Sequence, residues 1–325
     1  MYLTIAFIIA ANILSSCSTH TDEDLNHTNS YIVEANKLTK DGLYREAISK
    51  YSQSVKNFPD DMRAYRTLGI LLVKTGQYKK SIKYLTEALD DYPQDFETNY
   101  YMAEALRTLD KYEDAIFRYK TALNDEPESI SALKALSWTY YKIGYYTATL
   151  NVAKKLKKLQ PKDFQHSIIA ARALLKMGKK RSALKLIEKA KTTCSKSQLP
   201  YLLSVEADTY LALGNLSKAE STYRLVLKDQ PLLASSLLGL GKTLLYKGVQ
   251  KEKALSYIER SHRLRPKMIE AKYILAKELK KIDKKKAKYF QKAFYKQYKK
   301  DPLLAKRAIK GHKNFAKLYL NRKAK

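Results

Sequence analysis

Apolar residues recur three and four positions apart along most of this chain, as in Leu68, Leu71 and Leu72. That spacing lays one buried stripe along an α-helix. The stripes are interrupted alternately by glycine and by proline, and the interruptions keep register. Gly42, Tyr44, Ala47, Tyr51 and Pro59 are followed 34 residues later by Gly76, Tyr78, Ser81, Leu85 and Pro93. Asp110, Tyr112, Ala115, Tyr119 and Pro127 come next, then Gly144, Tyr146, Thr149, Ala153 and Pro161. A fifth copy keeps Gly178 and Ala183 but has Lys180 and Ser195 where the aromatic and the proline should be. Gly214, Ala219, Tyr223 and Pro231 mark a sixth, and Gly248, Ala254, Ile258 and Pro266 a seventh. Two slips, one near 197–200 and one after Gly248, account for the drift from a strict period.

Each column has a physical reason. The glycine column predicts the end of a first helix, where the backbone must turn left-handed. The column of Ala47 predicts a close crossing of two helices. The column of Tyr51 and Tyr119 predicts aromatic area buried against the next repeat. The proline column predicts the stop of a second helix. The chain therefore reads as all-α, built from tandem helix-turn-helix units. Acidic pairs at unit ends, Asp60-Asp61 and Asp90-Asp91, are expected to cap or solvate the following helix N-terminus.

Tyr65, Leu68, Gly69, Leu72, Gly76, Tyr78, Ser81, Ala88 and Pro93 carry a pattern that resembles the tetratricopeptide repeat family. The resemblance implies a right-handed superhelical solenoid with a concave groove. Seven units are expected over residues 28–266, then a degenerate unit and a basic capping helix after Pro302 over 267–325. It also implies protein partners held in the groove. Its groove register falls on Arg63, Arg66 and Lys74, on Tyr100, Glu104 and Arg107, on Lys134, Trp138, Tyr141 and Lys142, and on Arg172. Trp138, the lone tryptophan, is either a groove anchor or an ordinary packing residue. The basic side chains are expected to pair with partner carboxylates.

Composition adds exclusions. The two cysteines, Cys17 and Cys194, and five scattered histidines form no ligand motif, so no metal or cofactor is expected. Gly239-Leu-Gly241-Lys242-Thr243 imitates the end of a phosphate-binding loop, but the earlier glycine is missing and the segment is helical by register. No nucleophile or acid–base constellation can be assembled, and no enzyme is expected.

The N-terminus is a separate signal. Residues 3–14 form an apolar run too short to cross a bilayer as a mature helix and suited to the core of an export signal. Leu14-Ser15-Ser16-Cys17 follows it and resembles the lipobox of bacterial lipoproteins. That resemblance implies removal of residues 1–16, lipid on Cys17, and a polar tether over 17–30. By the same resemblance, Ser18 after the cysteine implies the outer membrane, periplasmic face, with the inner membrane as the alternative. Met1-Tyr2 lacks the usual basic residues, so an uncleaved hydrophobic N-terminus with an incidental cysteine remains open.

The net charge of +30 is concentrated. From Arg263 to Lys325 there are 23 Lys and Arg against 4 Asp and Glu, including Lys284, Lys285, Lys286, Lys299, Lys300, Lys306 and Arg307. Such a segment attracts anionic lipid, acidic proteins or nucleic acid, or is simply a solvated face. Two functions follow. One is a lipid-anchored scaffold that recruits or assembles envelope machinery for pili, secretins, outer-membrane proteins or the cell wall. The other is a cytoplasmic or inner-membrane protein holding nucleic acid through its basic end, against which the export signal argues.

Overall fold

The computed structural model describes residues 29–300 and, beyond them, Pro302, Ala305, Lys306, Ala308 and Ile309; the side chain of Lys300 is not among those described. Cys17, the leader over 1–16, all but the last two residues of the 17–30 tether, and Arg307 lie outside the described residues. The described residues form α-helices, one 3-10 turn and connecting turns, with no strand among them.

The chain divides into two compact units after Gly144. The division falls between the two helices of the fourth sequence repeat. The first unit contains α1 (Ser30–Lys40), α2 (Tyr44–Asn57), α3 (Met62–Lys74), α4 (Tyr78–Asp91), α5 (Phe96–Thr108), α6 (Tyr112–Asp125) and α7 (Ile130–Ile143). The second contains α8 (Tyr146–Leu159), α9 (Gln165–Lys176), α10 (Lys180–Lys191), α11 (Leu199–Leu213), α12 (Leu216–Asp229), α13 (Ala234–Lys247), α14 (Lys251–Leu264), α15 (Ile269–Glu278), a 3-10 turn (Leu279–Lys281) and α16 (Lys284–Lys300).

The repeat columns become structural positions. Tyr44, Tyr78, Tyr112 and Tyr146 each open a second helix. The crossing column, Ala47, Ser81, Ala115, Thr149, Ala183, Ala219 and Ala254, is fully buried in every copy. The six column glycines all have positive φ, and Asp110 takes the same left-handed conformation at φ 63° without being glycine. The next residue's amide then reaches back to the first helix: Gln77 N–H donates to Leu72 C=O at 2.7 Å and Lys111 N–H to Leu106 C=O at 2.9 Å. This wraps otherwise unpaired carbonyls at the helix end. Pro59, Pro93, Pro127, Pro161, Pro231 and Pro266 each stand two residues beyond the last residue of a second helix.

The acidic pairs behave differently from one another. Asp61 caps α3, accepting from Arg63 N–H. Asp90 and Asp91 instead end α4, and the cap of α5 is Asp95, which accepts from Thr98 N–H at 2.8 Å. The expectation for Asp90-Asp91 is thereby corrected: the helix runs on until Tyr92 and Pro93 stop it, so the pair never reaches the next N-terminus.

The core runs through each unit as linked clusters. In the first, Ala35, Ala47, Tyr51, Leu68, Leu71 and Leu72 join α1 to α3. In the second, Ala207, Leu211, Ala219, Tyr223, Leu240, Leu244 and Ala254 join α11 to α14. Each fully buried leucine contributes about 1.5–3 kcal/mol. Such clusters bind each pair only to its neighbours, as in stacked repeats. At the C-terminal end Ile269 and Phe294 bury Ala305, with Ala308 and Ile309 packed alongside.

Candidate functional site on the face of the first helices

Successive first helices touch one another, α3 with α5 and α5 with α7 in the first unit, α9 with α11 and α11 with α13 in the second. Within each unit, second helices contact the first helices beside them, as α4 does α3 and α5, and α12 does α11 and α13. The first helices thus form an inner layer in each unit, and the sequence-predicted groove residues lie on them.

In the first unit the layer is polar and aromatic. Arg66 bridges Asp95 at 3.1 Å and Glu97 at 2.8 Å. Phe96 stacks on Tyr100 with ring centroids 5.8 Å apart and an interplanar angle of 12°. A cleft of about 610 Å³ opens here, lined by Asp95, Glu97, Asp125 and Glu126, by the rings of Phe96, Tyr100 and Tyr101, and by Arg66. Asp125 also accepts from Phe96 N–H at 3.0 Å. Further along, Arg107 pairs with Glu104 at 2.5 Å, and the Tyr119 hydroxyl joins both. Burial and the Glu104 carboxylate push the Tyr119 phenol well above its ordinary range. Burial opposes the charge on Arg107, yet Glu104 and Tyr119 together hold its pKa above the usual value.

Trp138 on α7 is 39% exposed, and the Lys142 ammonium sits 4.4 Å from its ring centroid. Lys134 and Tyr141 share that helix and are half-buried. Arg63 is highly exposed and pairs with its own helix cap, Asp61, at 2.9 Å. Lys74 lies 5.2 Å from the Tyr101 ring. The structure therefore gathers Arg66, Tyr100, Glu104 and Arg107 on adjoining turns of α3 and α5. It places Trp138 and Lys142 on α7, and Arg172 in the second unit. Arg66 and Arg107, expected to await partner carboxylates, are engaged by carboxylates of this chain, and the open cleft beside them is acidic.

In the second unit the layer holds charges that the groove register did not single out. Tyr223 donates to Asp208 Oδ1 at 2.5 Å, and Lys242 pairs with Glu270 at 2.5 Å. Lys191 holds Glu206 through both oxygens at 2.9 Å. Burial lifts the Asp208 carboxyl above the usual carboxylate range, against the pull of Tyr223, Arg172 and Lys242. Burial alone would lower Lys242, but Glu270, Tyr246 and Asp208 push it up. The signal was present in the repeat: Tyr51–Asn36, Tyr119–Glu104 and Tyr223–Asp208 are all hydrogen bonds at a separation of 15 residues. Lys242, the lysine of the phosphate-loop imitation, sits in mid-α13, so no loop exists there to cradle a phosphate. Among the described residues no group of His, Cys, Asp and Glu could hold a metal ion. No helix of the described residues is long and apolar enough to cross a membrane.

Tetratricopeptide repeat models match residues 33–96 and 74–137, and the model of anaphase-promoting complex, cyclosome, subunit 3 matches 109–190. A tetratricopeptide repeat protein from Parabacteroides merdae shares the fold at a TM-score of 0.68 and 17% identity, over 77% of this chain and 98% of that one. Yeast Tom70 does so at 0.57 and 17%, over 84% of this chain and 58% of that one. A human IFIT1 dimer with m7Gppp-AAAA gives 0.50 and 16%, over 83% and 67%. No curated protein matches in sequence. The chain is a tetratricopeptide repeat protein. Members of this family are in general non-catalytic scaffolds whose repeats hold other proteins.

Proposed function

We propose that this protein is a protein-capturing scaffold anchored by lipid on Cys17 in the bacterial envelope, at the periplasmic face of the outer membrane, where it recruits or assembles envelope machinery. The observation that carries the capture role is the acidic, aromatic cleft along α5, bounded by Arg66 of α3, the end of α6 and the start of α7, together with the exposed Trp138 on the same layer. Its four carboxylates and three rings suit a lysine or arginine of a partner segment. This reverses the polarity first expected from Arg66 and Arg107, both already engaged within the chain. The anchor is supported by the apolar run over 3–14 and the Leu14-Ser15-Ser16-Cys17 sequence. Several acyl chains bury enough methylene for a stable hold, at about 0.8 kcal/mol each.

Two experiments test the two parts separately. Labelled palmitate is expected on the wild type and not on Cys17→Ala; equal labelling, or none in either, removes the anchor. Trp138→Ala with Glu126→Gln is expected to weaken partner capture while helix content stays constant. Capture of every partner at wild-type strength removes those residues from the site.

A further inference from the structure

The charge of this molecule follows its architecture. Residues 1–144 contain 17 Lys and Arg against 20 Asp and Glu, whereas residues 145–325 contain 45 against 12. Within the second unit it divides again by helix type. The second helices α8, α10, α12, α14 and α16 carry 24 basic and 5 acidic residues; the first helices α9, α11, α13 and α15 carry 6 and 4. The inner layer is nearly balanced, and the excess lies on the outward helices.

Helix α16 is the extreme case, with eight lysines, no arginine and no acidic residue. Ala287, Phe290 and Phe294 bury its inner side, with Phe290 edge-on to His262 of α14 and Phe294 against Tyr273 of α15. At 100° per residue, Lys285, Lys288, Tyr289, Lys292, Tyr295, Lys296 and Lys299 fall within a stripe about 120° wide on the opposite side. Tyr289 is 64% exposed and Tyr295 53%. A cap needs a polar outer surface, but it needs neither a single sign of charge nor two open phenol rings.

We propose that this outer stripe of α16 is a membrane-docking face that lies against a bilayer of anionic phospholipid. It rests on the envelope location proposed above but not on the lipid at Cys17. Lysine ammonium groups reach the headgroup layer as compact, hydrated charges. Exposed tyrosines among them match the amphipathic rings that settle at headgroup level. Nucleic acid fits less well: the stripe has no arginine fork for phosphate, and it runs along a helix turned outward. Each lysine brought to an anionic surface multiplies the partition by roughly fivefold.

The test uses the mature chain from residue 17 onward carrying Cys17→Ala, so that neither the apolar leader nor acylation contributes to docking. Its co-sedimentation with phosphatidylglycerol–phosphatidylethanolamine vesicles is compared with that on phosphatidylcholine vesicles. Binding is expected only to the anionic vesicles and is expected to fall as salt rises. Lys288→Gln with Lys292→Gln and Lys296→Gln should lower the partition about a hundredfold. Lys79→Gln with Lys80→Gln and Lys83→Gln on α4 should leave it unchanged. Tyr289→Ser with Tyr295→Ser should weaken it without altering the salt dependence. Helix content is checked for each variant. The proposal is overturned by equal binding to neutral vesicles, by absent binding to anionic ones, by insensitivity to the α16 changes, or by single-stranded RNA or an acidic protein displacing the chain from vesicles at equal charge concentration.

Discussion

Removing one oxygen from Tyr223 probes how the repeat couples its two helices. Phenylalanine keeps the ring that packs against Gly239, so no cavity opens, and only the hydrogen bond to Asp208 is lost. Asp208 is hemmed in by protein and its carboxyl is held high by burial. Left without its phenol, a largely desolvated carboxylate costs about 2–3 kcal/mol. Tyr51→Phe removes the equivalent bond, 2.6 Å to Asn36, but Asn36 is neutral and exposed. Water replaces the phenol there, and the cost is about 0.5–1 kcal/mol. Urea unfolding followed by circular dichroism reads both. The Tyr223→Phe deficit should also shrink as pH falls. Asp208 binds its proton more tightly in the folded state than its unfolded reference, and the variant raises that affinity further. Native protonation therefore stabilises the variant more as pH drops through the folded value. Equal costs for the two substitutions, or a deficit that grows on acidification, would refute this reasoning.

Other consequences follow from single positions. Asp110→Gly should stabilise by about 0.5–1 kcal/mol, since the left-handed conformation penalises a Cβ, and thermal melting reads the gain. Gly239→Ala places a Cβ 2.2 Å from the Tyr223 ring and should cost about 1–3 kcal/mol net of its better helix propensity; an increase in stability would contradict the close approach. Lys247 and Arg224 hold the Glu220 carboxyl below the usual range. Glu220 therefore contributes stability above about pH 4.3 that is lost as pH falls through its lowered folded value. Lys247→Met should flatten that acid limb of the stability profile.

The sequence carried the fold almost entirely, because the columns are steric demands. A crossing that admits only Ala, Ser or Thr, and a turn that demands positive φ, repeat wherever the geometry repeats. Asp110 and Lys180 show the tolerance of those demands: each departs from its column, and the helices begin and end on schedule because neighbouring contacts hold them. The site was less legible. Register placed Arg66 and Arg107 on the right helices, but register is silent about partners contributed by another repeat. Asp95 and Glu97 neutralise Arg66 from the next repeat, where only packing brings them within reach, whereas Glu104 lies one helical turn before Arg107 and was within reach by spacing alone. Likewise the excess of charge was visible as a basic tail, whereas its confinement to outward helices needed the helix pairing itself.

The central claim is that the layer of first helices captures a protein. A photoreactive phenylalanine analogue placed at Trp138 or Tyr101, on α7 and α5, should yield protein adducts in intact cells. The same group at Phe117, 63% exposed on the second helix α6, should yield none. Adducts from Phe117 in equal measure, or from Phe117 alone, would contradict the account.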